Sequence, residues 1–266
     1  MSRMHSDSSP RRIRPLVLAA VLALLLAGCT ASAVSTHPQR PHSSPAASVA
    51  PQSPAPSASP ANTPKPLPKR FWGAVLPFTH EFAAQTRRTT WHKGCPVGLR
   101  DLRLLTLRYW GFDGEVHQGP MVVNASVAHR IVWVFRQLFR AHFRIHDMHL
   151  ANRYRPGVRD DRRSKADYTN GFNCRPVVTA RGPSPWWSMH ASGLAIDINP
   201  IENPYVTTEG RVYDVWSKPY RDRSLHRHGM VRPGGVVVRA FSAIGWKWGG
   251  YWPGDKDYMH FSANGH

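Results

Sequence analysis

Acidic side chains are scarce in this 266-residue sequence: 16 Asp and Glu stand against 35 Lys and Arg, for a formal net charge of +19. A field of that sign favours polyanionic partners, through attraction and counterion release. Long hydrophobic runs are missing as well. The apolar run 16–27 falls short of the ~20 residues a membrane span needs. Cysteine is limited to Cys29, Cys95 and Cys174, none of them in a C-x-x-C pair, which weakens any reading as a thiolate zinc site. No internal repeat is visible.

What is present at the N-terminus explains the short apolar run. Arg11, Arg12 and Arg14 precede it, and a basic region followed by a short apolar one reads as a secretory signal. The run ends Leu26-Ala27-Gly28-Cys29, which resembles the bacterial lipoprotein box and implies cleavage before Cys29 and acylation of its sulfur. Two acyl chains, at about 0.8 kcal/mol per buried CH₂, hold a protein firmly on a membrane. The expected location is therefore extracytoplasmic, anchored by lipid to the bacterial membrane. There the available polyanions are wall polymers and lipid headgroups, and nucleic acid is not an expected partner. In an oxidising compartment Cys95 and Cys174 are expected to form one disulfide, with zinc ligation as the weaker rival.

Residues 30–70 are mostly Pro, Ser, Ala and Thr with almost nothing large and apolar, a composition that cannot offset chain entropy by burial. They read as a tether, stiffened by proline, reaching on the order of 120 Å at most. The folded domain is expected over 71–266, as a monomer. Within it Leu102, Leu104 and Thr106 alternate with Arg103, Leu105 and Leu107, a weak strand signal. Met121, Val122 and Val123 read as a short strand, with Asn124 or Ser126 capping the next helix. Val127, Ile131, Val134, Phe135 and Leu138 mark that helix's buried face. Val237, Ala240, Phe241 and Ile244 mark a second helix, ended by Gly245. Residues 172–178, 194–198 and 259–261 are the remaining strand candidates. Helices interleaved with short strands, without a βαβ rhythm, predict an α+β domain: a small antiparallel sheet flanked by helices.

The chemistry concentrates in two stretches. In 194–198, Leu194, Ile196 and Ile198 face one side of a strand, and Asp197 projects to the other beside small Ala195. Gly193 permits a tight turn that returns His190 over the same face. Near the C-terminus, Met259 and Phe261 face the core and His260 the open side, completing a three-ligand set of His190, Asp197 and His260. Asp257 lies on the wrong face of a regular strand to join them, so a bend is required. Each histidine alone is more often a hydrogen-bonded core or surface residue; the combination carries the signal.

Ser188, His190, Gly193, Ala195 and Asp197, followed by Asp257 and His260, resemble the Ser-x-His-x-x-Gly-x-Ala-x-Asp and acid-x-x-His pattern of the zinc D-alanyl-D-alanine carboxypeptidase and L-alanyl-D-glutamate peptidase family. Vancomycin-resistance dipeptidases and phage endolysin peptidases share that pattern. The likeness extends to a subgroup with Phe-Asn-Cys-Arg (Phe172 to Arg175), Asp-Ile-Asn-Pro (Asp197 to Pro200) and Gly-Trp-x-Trp-Gly-Gly (Gly245 to Gly250), and covers most of 102–261. It implies one zinc ion on His190, Asp197 and His260, activating water for hydrolysis of peptidoglycan stem peptides. It further implies Asp257 as general base and Arg175 as the group that steadies the oxyanion or grips a substrate carboxylate. Ser188, Trp248 and Tyr258 are candidate substrate contacts, although buried core is the commoner fate of tryptophan and Ser188 suits a turn equally well. A serine D,D-peptidase is excluded by the lack of Ser-x-x-Lys and Lys-Thr-Gly. A thermolysin-like site is excluded because His80-Glu81 is followed by Ala84 where a second histidine belongs. A non-catalytic wall-binding lipoprotein on the same scaffold is the alternative.

Overall fold

Apolar spacing places the elements, and packing trims them. The computed structural model describes residues 66–151, 167–179 and 182–266, all within one unit spanning Ala61–His266. The expected signal segment, Cys29 and the tether as far as residue 65 lie outside them. In chain order the elements are β1 Gly73–Leu76, α1 His80–Arg87, β2 Leu102–Trp110, β3 Val116–Asn124, α2 Ala128–Arg140, β4 Pro176–Thr179 and β5 Gly182–Trp187. They continue with β6 Ala195–Asp197, β7 Tyr205–Val206, α3 Val236–Ala243, β8 Lys247–Trp248, β9 Lys256–Asp257 and β10 His260–Ser262. Short antiparallel sheets and, among the described residues, three α-helices make an α+β domain, as the sequence predicts. No helix among the described residues is long and apolar enough to cross a membrane.

Two three-stranded antiparallel sheets matter for the site. The first, β1-β2-β3, turns Leu105, Leu107, Met121 and Val123 onto α2, where Ile131, Val134, Phe135 and Leu138 are buried as their spacing predicts. The second, β6-β10-β8, is the small sheet that carries the candidate ligands. Helix α3 packs beneath it: Phe241 stacks on Phe261 of β10 with ring centroids 4.2 Å apart. Both rings are fully buried, and each contributes about 1.5–3 kcal/mol by leaving water. Gly245, at φ 85°, ends α3 in the left-handed conformation expected of it.

Several boundaries differ from the sequence reading for identifiable reasons. No strand occupies 172–175. The amide groups of Phe172, Asn173 and Cys174 donate to Val122, His190 and Thr90 in turn, three different elements, so no ladder forms before β4 begins at Pro176. Neither Asn124 nor Ser126 caps α2. Val127 stands at the cap without a side-chain bond, while Asn124 Oδ1 accepts from the Ser126 amide and hydroxyl in the turn before it. Strand β3 runs well beyond 121–123, because β2 supplies a partner for every residue from Val116 to Asn124 even across Gly119 and Pro120. The chain also docks before residue 71: Lys69 pairs with Glu115 at 3.4 Å, and Leu67 packs near Trp110 and Phe139.

Candidate metal centre

Sheet register brings two of the three expected ligands together. In the antiparallel pairing of β6 and β10, His260 lies directly opposite Asp197. Cross-strand neighbours have Cβ atoms about 5 Å apart, so the imidazole and carboxylate meet without further adjustment. Asn170 closes the other edge, exchanging both main-chain hydrogen bonds with Asp197 at 3.0 and 3.1 Å.

His190 arrives by a one-turn 3₁₀ helix. The Ser188 hydroxyl accepts from the His190 amide at 3.3 Å to start the turn, and Gly193 ends it at φ 67°. A Cβ at position 193 would sit 2.6 Å from the Asn124 nitrogen, so glycine is required by both conformation and space. Ser188 is itself buried, which fits a turn-forming role better than contact with substrate.

Donor atoms of His190, Asp197 and His260 all lie within 4.8 Å of one another. His190 Nε2 is 3.1 Å from Asp197 Oδ2, and His260 Nδ1 is 3.2 Å from Asp197 Oδ1. The partners behind the rings decide what these contacts mean. His190 Nδ1 is 2.7 Å from the Gly171 carbonyl, so it carries the proton and donates there. In the neutral ring Nε2 then holds the lone pair; the atom is buried, without a hydrogen-bond partner, and faces a carboxylate oxygen. Such an arrangement calls for a positive centre between the two atoms, either a proton on the ring or a metal cation. His260 has the matching arrangement, with Nε2 3.4 Å from the main-chain oxygen of His266 and Nδ1 turned inward. Backing each ring with a carbonyl fixes its tautomer in the manner typical of metal-ligating histidines. Two imidazoles and a carboxylate are a donor set that suits zinc.

Charge reinforces the pattern. Burial opposes ionisation of Asp197, but His190 and His260 outweigh it and hold the carboxyl well below the usual range. Burial also disfavours a charged His260, yet the hydrogen bond and charge of Asp197, with Asp257 behind, raise it above an ordinary histidine.

Asp257 reaches this cluster through the bend its position demands. It belongs to β9, which pairs with β7 and not with the ligand sheet; the chain turns at Tyr258 and Met259 before β10 begins. Its Oδ1 is sealed from solvent without a hydrogen-bond partner. Burial first and the Asp197 charge second push the carboxyl up to about 7, against the opposing pull of His260 and Arg175. Arg175 stands one residue before β4, close enough for its charge to act on Asp257, and donates from Nη1 to the Pro176 carbonyl at 3.3 Å.

Two expected substrate contacts are placed differently. Trp248 is buried, with Nε1 donating to the Tyr258 carbonyl at 2.8 Å and its ring stacked parallel to Phe261. It belongs to the hydrophobic core, in the same cluster as Phe241 and Phe261. Tyr258 is partly exposed, its ring covered on one face by the Arg223 guanidinium at 4.3 Å. Cys95 and Cys174 form the expected disulfide across 79 residues of sequence. Nearby His92 Nε2 is 3.5 Å from Cys174 Sγ, but sulfurs bonded to each other are not metal ligands, so the rival reading falls.

Some residues that build the site escaped the sequence. Gly171 supplies the carbonyl behind His190, and a Cβ on it would come 2.4 Å from the Val122 oxygen. Asn199, buried at φ 42°, accepts from the His146 amide and donates to the Arg144 and Gly229 carbonyls. Asn203 likewise donates to Ile198 and Gly229 and accepts from Val231 and Arg223. The repeated Asn-Pro pair at 199–200 and 203–204 was the available signal.

Residues 181–263 match the model of a protein family described as D-alanyl-D-alanine carboxypeptidase. That segment contains His190, Asp197, Asp257 and His260, so the match supports the resemblance where the chemistry lies. Phe172 to Arg175 fall outside it. No curated protein and no solved structure matches the chain.

Proposed function

We propose that this protein is a zinc peptidase that hydrolyses peptide bonds in peptidoglycan stem peptides, acting outside the cytoplasm from a lipid anchor at Cys29. The observation that carries the reading is the buried, unpartnered lone pair of His190 aimed at Asp197, beside His260, within a segment that matches a carboxypeptidase family. A zinc ion held by these three residues supplies Lewis acidity that makes water nucleophilic near neutral pH. The protein's own groups do the rest. The Gly171 and His266 oxygens keep both imidazoles turned inward. Asp257, with a carboxyl poised near neutrality, takes the proton of the attacking water and returns it to the leaving amine. Arg175 sets a positive charge beside Asp257, where it can hold a substrate carboxylate or the developing oxyanion.

The test is mass spectrometry of muropeptides from purified peptidoglycan before and after digestion, together with the zinc content of the protein. The mass lost identifies the bond: terminal D-Ala-D-Ala, an interpeptide crosslink, or L-Ala-D-Glu. His190→Ala and His260→Ala should each lose both metal and cleavage. Bound zinc with no cleavage of any stem peptide would overturn the peptidase reading in favour of a wall-binding protein.

A further inference from the structure

Strands β4 and β5 form a two-stranded ribbon that pairs with no other strand among the described residues, and its base leads into the site. β4 begins immediately after Arg175, and β5 ends immediately before Ser188. Of the large apolar side chains among the described residues, Trp186 on this ribbon is the most exposed at 75%; Val178 follows at 66%, and Trp187 is exposed at 42%. Trp186 is the ring offered to solvent, while Trp187 is drawn against His92.

Its chemistry narrows the partner. Added strands are refused along β5, because Pro183 and Pro185 lack amide protons and the Ser184 hydroxyl engages both main-chain groups of Trp186, at 3.1 and 3.3 Å. Those same bonds hold the main chain at Trp186 in place. Trp187 rests against the His92 ring at 5.9 Å, beside the disulfide that anchors the base of the ribbon. The residues of the two strands, Pro-Val-Val-Thr and Gly-Pro-Ser-Pro-Trp-Trp, carry no charge, and the nearest charges along the chain are Arg175 before β4 and Arg181 in the link between the strands. Pyranose rings offer uncharged, C–H-rich faces that suit the electron-rich face of an indole. A stem peptide entering the metal centre is attached to such a polymer.

We propose that Trp186 is a stacking contact for the glycan strand of peptidoglycan, next to the cleavage site. This rests on the peptidase reading only for the identity of the polymer. The test uses the full chain carrying Cys29→Ser, to remove the expected acylation site, and Asp257→Ala, to prevent turnover. The probe is insoluble glycan strands stripped of every stem peptide, with binding measured by sedimentation. Trp186→Ala should weaken binding about tenfold, and Trp186→Tyr should retain most of it. In the chain with Asp257 intact, Trp186→Ala should slow cleavage of intact sacculi while leaving hydrolysis of a soluble stem pentapeptide unchanged. Equal binding by Trp186→Ala and the parent overturns the proposal. So does failure of the parent to bind peptide-free glycan, or tryptophan-dependent binding to anionic phospholipid vesicles in its place. Absence of cleavage by the intact chain, with tryptophan-dependent glycan binding preserved, would sink the peptidase reading and leave the stacking contact standing.

Discussion

Residues 197 and 257 show how two carboxyls a short distance apart are given different work. Asp197 faces two imidazoles, which hold its carboxyl well below the usual range; Asp257 is pushed up to about 7, by burial first and by the Asp197 charge second. Asp257→Ala should therefore keep zinc, because it removes no ligand, while turnover falls by roughly 10²–10⁴, the usual worth of a positioned general base. Metal analysis alongside peptide release checks both halves. A second carboxyl pair makes a separate prediction. Glu202, buried against Asp167, is pushed up to about 9, by burial first and then by the hydrogen bond and charge of Asp167. Below about pH 4.5 folded and unfolded chains both hold the Glu202 proton; between 4.5 and 9 only the folded chain does. The folded state then binds more protons than the unfolded one, so this group's contribution to stability declines as pH rises through that window and levels off above it. Glu202→Gln should remove the decline, at on the order of 1 kcal/mol per pH unit, and denaturant melts at pH 5 and pH 8 would reveal it.

Elements explain why the sequence was readable in some places and opaque in others. Helix α2 was legible because Val127, Ile131, Val134, Phe135 and Leu138 repeat at one period and all pack on one sheet. His190, Asp197 and His260 were legible because the motif constrains residue type, order and spacing together, and their donor atoms do lie within 4.8 Å of one another. The segment 172–175 was not, since its three amides find partners in three distant elements that no local pattern announces. Trp248 misled for a related reason: a tryptophan near a site reads alike whether it lines a cleft or fills the core behind it. Gly171 contributes a carbonyl, which every residue possesses, so side-chain identity gave no hint of it. The disulfide allows a test at this scale. It joins a loop before β2 to the residue preceding Arg175 and closes a segment of 79 residues. Replacing both cysteines with alanine should cost about 2–5 kcal/mol, seen as a lower melting temperature, and an unchanged melt would count against a structural role for the bridge.

At the scale of the whole molecule, sequence supplies what the described residues do not. The basic run, the short apolar segment and Leu26-Ala27-Gly28-Cys29 predict an anchored protein on a stiff polar tether. Cys29→Ser should move it from the membrane fraction to the soluble fraction, while peptide hydrolysis by the folded part continues. Persistence of the variant in washed membranes would contradict an acyl anchor at that cysteine.

One consequence of the β6–β10 register reaches further. Because Asp197 and His260 are cross-strand partners 63 positions apart, everything between them is an excursion stapled at both feet. Lengthening such a closed excursion costs little, about 0.6 kcal/mol for each doubling. Insertions between β7 and α3 could thus reshape the surroundings of the candidate metal centre while Asp197 and His260 keep their spacing.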